Sequence, residues 1–317
     1  MSNIILFLSI VNFMLTFFVF LNAKKEKANM SFLAFSFITT MWILTDFLVR
    51  IYPYSIYWAL SFGLGIFVPT SVLIWIYHLL EEKLSRFILY FIISFSILLF
   101  FISSFTSYVV YPINAITPFG YESKMGLLFP FYSIYLASLI ALALYKLFKG
   151  FLGAEKGAVI KKQQILSLFI GGLIFGVAAL IIDFVIPLFF NTFKYAGLVS
   201  LTYFPLLLFI IYSIIKHQLF GIKILMAQFL VAIFLSLLLF RFLFSNSSND
   251  YYWNGAVLII FIFLSHLIIK SMFKDIELNK KLLRETQKNL EFEQRLKSMY
   301  SEIAEKGIKE RYFNNKS

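Results

Sequence analysis

The sequence predicts an all-α fold, a polytopic membrane helix bundle of about nine spans followed by a cytoplasmic charged helix. Hydrophobic residues make up 61% of the 317 residues and charged residues 14%, whereas soluble domains are nearer one half and one quarter. The apolar residues come in continuous runs, each near the 20 or so residues that a helix needs to cross the hydrocarbon. Continuous runs indicate helices, because the strands of a membrane barrel alternate in polarity.

Nine apolar runs are predicted as spans, with ends that are set only to within several residues. The first run is preceded by Met-Ser-Asn and followed by three lysines, the reverse of a signal peptide, so we expect it to remain as an uncleaved span. The predicted spans are roughly 3–22, 31–50, 55–80, 87–107, 126–148, 165–189, 198–215, 224–244 and 255–273.

The loops between these runs predict the orientation. When alternate loops are placed inside, 12 of the 16 Lys and Arg residues before position 270 are cytoplasmic, and only Arg50, Lys124, Lys194 and Arg241 are outside. Basic residues concentrate in cytoplasmic loops, so we expect an N-out, C-in topology in the cytoplasmic (inner) membrane. The net charge of +12 is therefore an orientation signal, and no nucleic-acid partner is expected. The longest outer loop, about 108–125, is too short for a separate extracellular domain.

The composition changes at the end of the ninth run, which divides the chain into a membrane region, 1–273, and a cytoplasmic tail, 274–317. From residue 270 onward the chain has 12 basic and 8 acidic residues. A heptad assignment predicts a coiled-coil homodimer, and an amphipathic helix on the membrane surface is the alternative. Six of the nine a and d positions are apolar, the full set being Asp275, Leu278, Leu282, Glu285, Asn289, Phe292, Leu296, Met299 and Ile303.

Ionisable residues inside the apolar runs are the candidate site, because a charge in the bilayer is costly and usually functional. Asp46, Arg50, Asp183, Lys194 and Arg241 all lie toward the outer ends of their spans or in the adjoining loop. We expect an outward-facing polar pocket. An intrahelical ion pair between Asp46 and Arg50, and a purely structural charge network, are the alternatives. The chain has no cysteine, no His-x-x-x-His pair and no Gly-rich phosphate loop, so no metal or cofactor is expected.

One short motif resembles a known family. The stretch 212–223 reads Tyr-Ser-Ile-Ile-Lys-His-Gln-Leu-Phe-Gly-Ile-Lys, and it resembles the signature at the cytoplasmic exit of a late helix in bacterial sensor histidine kinases with a seven-transmembrane N-terminal region. His217 takes the place of an aromatic residue and Gly221 that of an aspartate. The matching positions are Tyr212, Lys216, His217, Leu219, Phe220, Ile222 and Lys223.

The resemblance implies that the tail leads toward a dimerisation helix with a phosphoacceptor histidine. Residues 296–300 look like the approach to that histidine, yet Lys306 falls where it should stand and Gly307 follows. A lysine is mostly protonated at neutral pH and is a poor phosphoacceptor, and 11 residues beyond it are too few for an ATP-binding domain. We therefore expect no kinase activity from this chain.

These observations predict a membrane sensor or receptor-like module related to two-component histidine kinases. It would signal as a homodimer through the C-terminal helix, or through a separate histidine kinase or response regulator. A multi-span transporter is the first alternative, although no clear inverted repeat is visible. A truncated, non-functional kinase remnant is the second alternative.

Overall fold

The computed structural model describes residues 2–217 except 53–54, 118–119 and 155–158, together with Leu219 and ten isolated residues between 238 and 292. The chain forms two compact units, and the described helices and strands lie in the first, Met1–Gly255. Its helices are α1 (Ser2–Asn22), α2 (Lys27–Ile51), α3 (Ser55–Leu79), α4 (Arg86–Phe105), α5 (Phe129–Gly153), α6 (Val159–Leu180), α7 (Ile186–Phe190) and α8 (Val199–His217), with strands β1 (Val110–Thr117) and β2 (Gly120–Met125).

Among the described residues, seven helices are long and apolar enough to cross a membrane, which confirms the membrane-helix part of the prediction. They coincide with the first seven predicted spans, while the predicted spans 224–244 and 255–273 and the charged tail lie outside the described residues. Several helices begin earlier or end later than their apolar runs. For example, α2 starts at Lys27 rather than near residue 31, and α5 ends at Gly153 rather than near residue 148. Long basic side chains allow this, because they reach the interface from the last helical turns.

The described residues are mostly helical, as predicted, but they also contain a two-stranded β-hairpin that the sequence analysis did not predict. Strands β1 and β2 pair antiparallel, with Val110 opposite Met125 at the open end. The sequence predicts 108–125 only as the longest outer loop, with no strands in it. The backbone amide of Gly126 then donates to the carbonyl of Val109 at 2.9 Å and closes the base of the hairpin. A Cβ atom at Gly126 would lie 2.1 Å from the Tyr108 carbonyl oxygen, so only glycine fits there.

The helices form a ring around a central space. Neighbours in the ring are α1 and α2, α2 and α3, α3 and α5, α5 and α6, α6 and α8, and α8 and α1, while α4 packs outside against α3. We call the end of the bundle that carries β1 and β2 the hairpin end, and the opposite end, with the turn 80–85 and the start of α2, the basic end. The outward faces are apolar, as on α4, where Phe87, Phe91 and Phe101 are exposed to the surroundings.

A buried polar cluster joins α1, α2 and α8. The side-chain amide of Asn12 donates to the Ser36 carbonyl at 2.8 Å and to Thr40 Oγ1 at 2.9 Å. Its Oδ1 accepts from Tyr203 at 2.9 Å and from Ser36 at 3.2 Å. All four hydrogen-bonding positions of the amide are therefore used, and Asn12 and Tyr203 have no solvent exposure. A fully satisfied network of this kind holds helices together, since lipid offers no competing partners.

Candidate functional site

The candidate site is a cavity inside the ring of helices, with about 100 Å³ of free space. Its walls come from α2, α3, α5, α6 and α8 and are mostly apolar and aromatic. Two carboxyl groups, those of Asp46 and Asp183, lie in this lining. A mostly apolar cavity with a few polar groups at one place is the usual form of a small-molecule site.

Asp46 is held by hydroxyl groups from neighbouring elements. It lies four residues before Arg50 on α2 and is only 6% exposed. The Ser61 hydroxyl, on α3, donates a hydrogen bond to Asp46 Oδ1. Ser200, at the start of α8, approaches the same carboxyl. Asp46 therefore connects three helices at the wall of the cavity, and its oxygens are already partly satisfied by the protein.

Arg50 does not form the intrahelical ion pair that was the alternative interpretation. Its guanidinium Nη2 donates to the backbone carbonyl of Gly197 at 2.6 Å. That carbonyl belongs to the 3₁₀ turn Ala196–Leu198, which leads into α8. The charge of Arg50 still acts on Asp46 through space, but no oxygen of Asp46 lies within 4 Å of it. The guanidinium is thus a link between α2 and the start of α8.

Asp183 lies on a π-helical interruption of α6. The segment Ile181–Val185 has π-helical hydrogen bonding, and α7 continues beyond it to Phe190. Single π-helical turns often occur at functional sites because they change the direction in which a side chain points. Asp183 is half-buried, and its charge is close enough to interact with Asp46 and with Tyr132. Within the described part of the chain, its carboxyl has no hydrogen bond and no ion pair.

Aromatic side chains pack together at the hairpin end of the cavity, where Trp58 and Phe62 belong to its lining. Phe193 packs edge to face against Phe62 and Phe129, with ring centroids 5.6 and 5.0 Å apart. Trp58 contacts Phe62 in the same way, and its indole N–H donates to Ser123 on β2 at 2.7 Å. The hairpin is therefore attached to a residue that also lines the cavity. This attachment is not predictable from the sequence, because a serine in a short loop has no distinctive signal.

The structure brings together three of the five residues of the expected polar pocket and leaves two apart. Asp46 and Asp183 line the cavity at the hairpin end, and the charge of Arg50 acts on Asp46 although Arg50 does not line the cavity. Lys194 is exposed, lies 5.9 Å above the Tyr195 ring and is absent from the cavity lining. Arg241 lies outside the described residues.

The positions named from the family resemblance lie near the end of α8 or beyond it. Tyr212 is on α8 and is 41% exposed, and Leu219 is buried. Lys216 and His217 are the last two residues of α8. Phe220, Ile222, Lys223 and Lys306 lie outside the described residues. None of the described motif residues lines the cavity.

The donor set favours an organic ligand over a metal ion. Two carboxyl groups, with a guanidinium beside one of them, supply fewer oxygen ligands than Ca²⁺ needs and no nitrogen or sulfur for Zn²⁺. Among the described residues no group of three or more His, Cys, Asp or Glu side chains comes together. What the arrangement can do is accept hydrogen bonds from a small molecule at one end of an apolar cavity.

The chain was compared with protein-family models, with curated proteins and with solved structures, and none of the three comparisons finds a match.

Proposed function

We propose that this protein is a membrane sensor that binds a small ligand in the cavity and relays its presence through the segment that follows α8. The ligand is largely apolar and carries an amino group or another strong hydrogen-bond donor. We further propose that the protein lies in the cytoplasmic membrane with its hairpin end outside and its C-terminus in the cytoplasm. The basic bias of the loops supports that orientation.

The observation that carries the proposal is the unpartnered carboxyl of Asp183. An ionisable group in a membrane segment is expensive unless something pairs with it. Asp46 has the Ser61 hydroxyl and the nearby charge of Arg50, but Asp183 has neither a hydrogen bond nor an ion pair among the described residues. Two carboxyl groups and one guanidinium also leave the site with an excess of acid. A ligand with a hydrogen-bond donor would pair with the Asp183 carboxyl, and a positive charge on that donor would also balance the excess of acid.

The size and walls of the cavity support a small ligand. Free space of about 100 Å³ is of the same order as the roughly 150 Å³ apolar cavity that binds one benzene molecule. Two glycines of the lining set its width: a methyl group on Gly65 would lie 3.5 Å from Trp42 Nε1, and one on Gly172 would lie 3.5 Å from Leu144. Both additions make ordinary contacts, so alanine at either position would narrow the cavity without forcing the helices apart.

The position of α8 supports a relay. Val199 and Leu206 of α8 line the cavity, and the chain continues from the end of α8 toward the charged tail. A ligand shifts a conformational equilibrium only when it binds two arrangements with different affinity. The Arg50 contact to the start of α8 and the π-helical turn in α6 are the two joints at which such arrangements can differ. The partner of the relay is proposed to be a second copy of the chain, a separate histidine kinase or a response regulator, on the strength of the 12-residue resemblance alone.

Binding can be measured without a label, because Trp42, Trp58 and Trp75 line the cavity and the chain has only one other tryptophan. The probe is n-hexylamine, a largely apolar amine close to benzene in size, and n-hexanol is the uncharged control. We expect n-hexylamine to cause a saturable shift in the tryptophan emission of the purified protein in nanodiscs. The shift caused by n-hexanol should need a much higher concentration.

Variants separate the site from general effects on the membrane. Asp183→Asn should weaken n-hexylamine binding at least tenfold, because a hydrogen bond to a charged group contributes roughly 1.5–3 kcal/mol. Gly172→Ala should weaken the binding of both n-hexylamine and n-hexanol, because it reduces the free space of the cavity. Glu26→Gln, which removes an acid at the basic end, is the matched control and should bind like the parent chain. Equal binding by Asp183→Asn and the parent chain would refute the site.

The proposed relay can be tested separately by cysteine cross-linking, because the chain contains no cysteine of its own. The heptad places position 296 on the dimer seam and position 294 off it, so Leu296→Cys should cross-link two protomers far more than Gln294→Cys. If the protein is a sensor, n-hexylamine should change the cross-linking rate at 296. An unchanged rate, with binding intact, would leave a binding protein and remove the relay.

A transporter is the second candidate, and specific observations favour it. The cavity is bordered by a π-helical interruption and by Pro69 in α3, and interrupted helices beside a central site are a feature of secondary transporters. Uptake of radiolabelled n-hexylamine into proteoliposomes would favour this candidate, provided that Asp183→Asn abolishes it. Binding without uptake, together with altered cross-linking at 296, would favour the sensor.

A further inference from the structure

The basic end of the bundle contains a second, larger and open cleft. It lies between the loop that precedes α2, the turn 80–85 and the start of α6. Five basic side chains line it against three acidic ones, the basic set being Lys24, Lys27, Lys83, Arg86 and Lys161 and the acidic set Glu26, Glu81 and Glu82.

Two of the three acids already have partners. Glu81 accepts from Lys161 at 2.8 Å, and Glu82 forms an ion pair with Lys146. The Lys146 ammonium also lies 4.7 Å above the Tyr77 ring, which helps to fix this pair at the wall of the cleft. Because Glu81 and Glu82 are held in these ion pairs, their carboxylates do not neutralise the other cations of the cleft.

The remaining four cations are available to a ligand. In the described part of the chain, Lys24, Lys27, Lys83 and Arg86 make no ion pair, and all four are exposed. Their positions are set by local structure. Asn29 is buried and donates to the backbone carbonyl of Lys24 at 2.8 Å, which fixes the loop before α2. The four charges therefore surround one cleft instead of being spread over the surface.

The backbone adds to the same positive potential. Helices α2, α4 and α6 begin at this end, and residues from the first turn of each line the cleft. The residues that precede α2 and α4, Glu26 and Ser85, make no side-chain cap, so the first amides of both helices are not satisfied by them. Amides at helix starts favour an anion. These amides therefore add to the positive potential of the four cations.

The cleft opens beside a surface that suits lipid tails. At the start of α4, Phe87 is 79% exposed and Tyr90 is 66% exposed. Met30, in the first turn of α2, is 50% exposed. Apolar side chains exposed next to a basic cleft, at the end of a membrane helix, are placed where acyl chains and headgroups meet.

We propose that this cleft binds the phosphate group of an anionic phospholipid, with the acyl chains running along the start of α4. The four unpaired cations recognise the phosphate, and the apolar residues beside them select a lipid over a soluble anion. The site is independent of the cavity at the hairpin end and of the function proposed for it.

The test uses the full chain with a fluorophore in the cleft. Ser85→Cys introduces the only cysteine at an exposed position that makes no cap, and an environment-sensitive dye is attached there. Phosphatidylglycerol is titrated into mixed micelles of the labelled protein, with phosphatidylcholine as the neutral lipid and inorganic phosphate as the soluble anion. We expect a saturable response to phosphatidylglycerol alone.

Two charge-matched double variants decide whether a site exists. Lys27→Gln with Lys83→Gln removes two cations of the cleft, and Lys25→Gln with Lys149→Gln removes two exposed cations of the same end that do not line it. The first pair should weaken phosphatidylglycerol binding about 30-fold, since each lysine near anionic lipid contributes a factor of about five. The second pair should change it by less than about threefold.

Each other outcome overturns the proposal. Equal weakening by the two pairs would mean diffuse attraction to a basic surface. A response to inorganic phosphate equal to that of the lipid would assign the cleft to a soluble anion. No response to either would mean that the cleft does not bind phosphate groups.

Discussion

The hydrogen bond between Tyr203 and Asn12 gives a sharp test of what holds the bundle together. The bond is 2.9 Å long and joins α8 to α1 through two residues that are 191 positions apart in the chain. Neither residue is exposed to solvent. Tyr203→Phe removes this bond alone, and Asn12→Ala removes it together with the bonds to Ser36 and Thr40. Both changes are therefore expected to lower the free energy of unfolding.

The magnitudes follow from the number of bonds lost. Side-chain hydrogen bonds between membrane helices contribute roughly 0.6 kcal/mol on average and about 1.7 at most. Tyr203→Phe should cost about 1 kcal/mol, since Asn12 Oδ1 keeps only the longer bond from Ser36. Asn12→Ala should cost about 3 kcal/mol, because four bonds and the packing of the side chain are lost. The double variant should cost less than the two single changes together, by about 1 kcal/mol or more.

The assay is reversible unfolding in bicelles with added SDS, followed by far-ultraviolet circular dichroism. Tyr145→Phe is the matched control, since Tyr145 is 56% exposed on α5, and it should change the free energy of unfolding by less than about 0.5 kcal/mol. If Tyr203→Phe costs no more than Tyr145→Phe, or if the two changes at Asn12 and Tyr203 are simply additive, the cluster does not hold α1 to α8.

Three further predictions concern the loops. Gly126→Ala should loosen the hairpin, because the new Cβ would overlap the Tyr108 carbonyl; faster hydrogen exchange at the base of the hairpin would show it, and unchanged exchange would contradict it. The hydrogen bond and charge of Lys161 lower the pKa of the Glu81 carboxyl, so Lys161→Gln should raise that pKa toward its ordinary value, as measured by carbon-13 NMR. Because the folded pKa is the lower one, the stabilisation from this pair is present at neutral pH and is lost as pH falls through the folded pKa, and the variant should lack that dependence. A cysteine at position 156 should react only with a membrane-permeant reagent, and labelling from outside would overturn the proposed orientation.

The sequence by itself determined the number and rough position of the described helices that are long and apolar enough to cross a membrane. Each span is a continuous apolar run of the length that hydrocarbon demands, and this information is local, so residues 55–79 could be recognised without their neighbours. Asp46 and Asp183 were recognisable for the same reason, since a carboxyl in an apolar run stands out. The ends of the helices were less certain, because long basic side chains let a helix extend beyond its apolar run.

Only the tertiary structure decided which residues meet. Arg50 follows Asp46 by one helical turn, which favours an ion pair, yet its partner is the carbonyl of Gly197, 147 residues away. The buried cluster around Asn12 and Tyr203 was equally invisible, because a single amide and a single hydroxyl carry no periodic signal. The physical reason lies in the solvent. Lipid tails are as apolar as leucine, so hydrophobicity does not orient a membrane helix, and its rotation is set by hydrogen bonds and close packing with helices that lie far away in the chain.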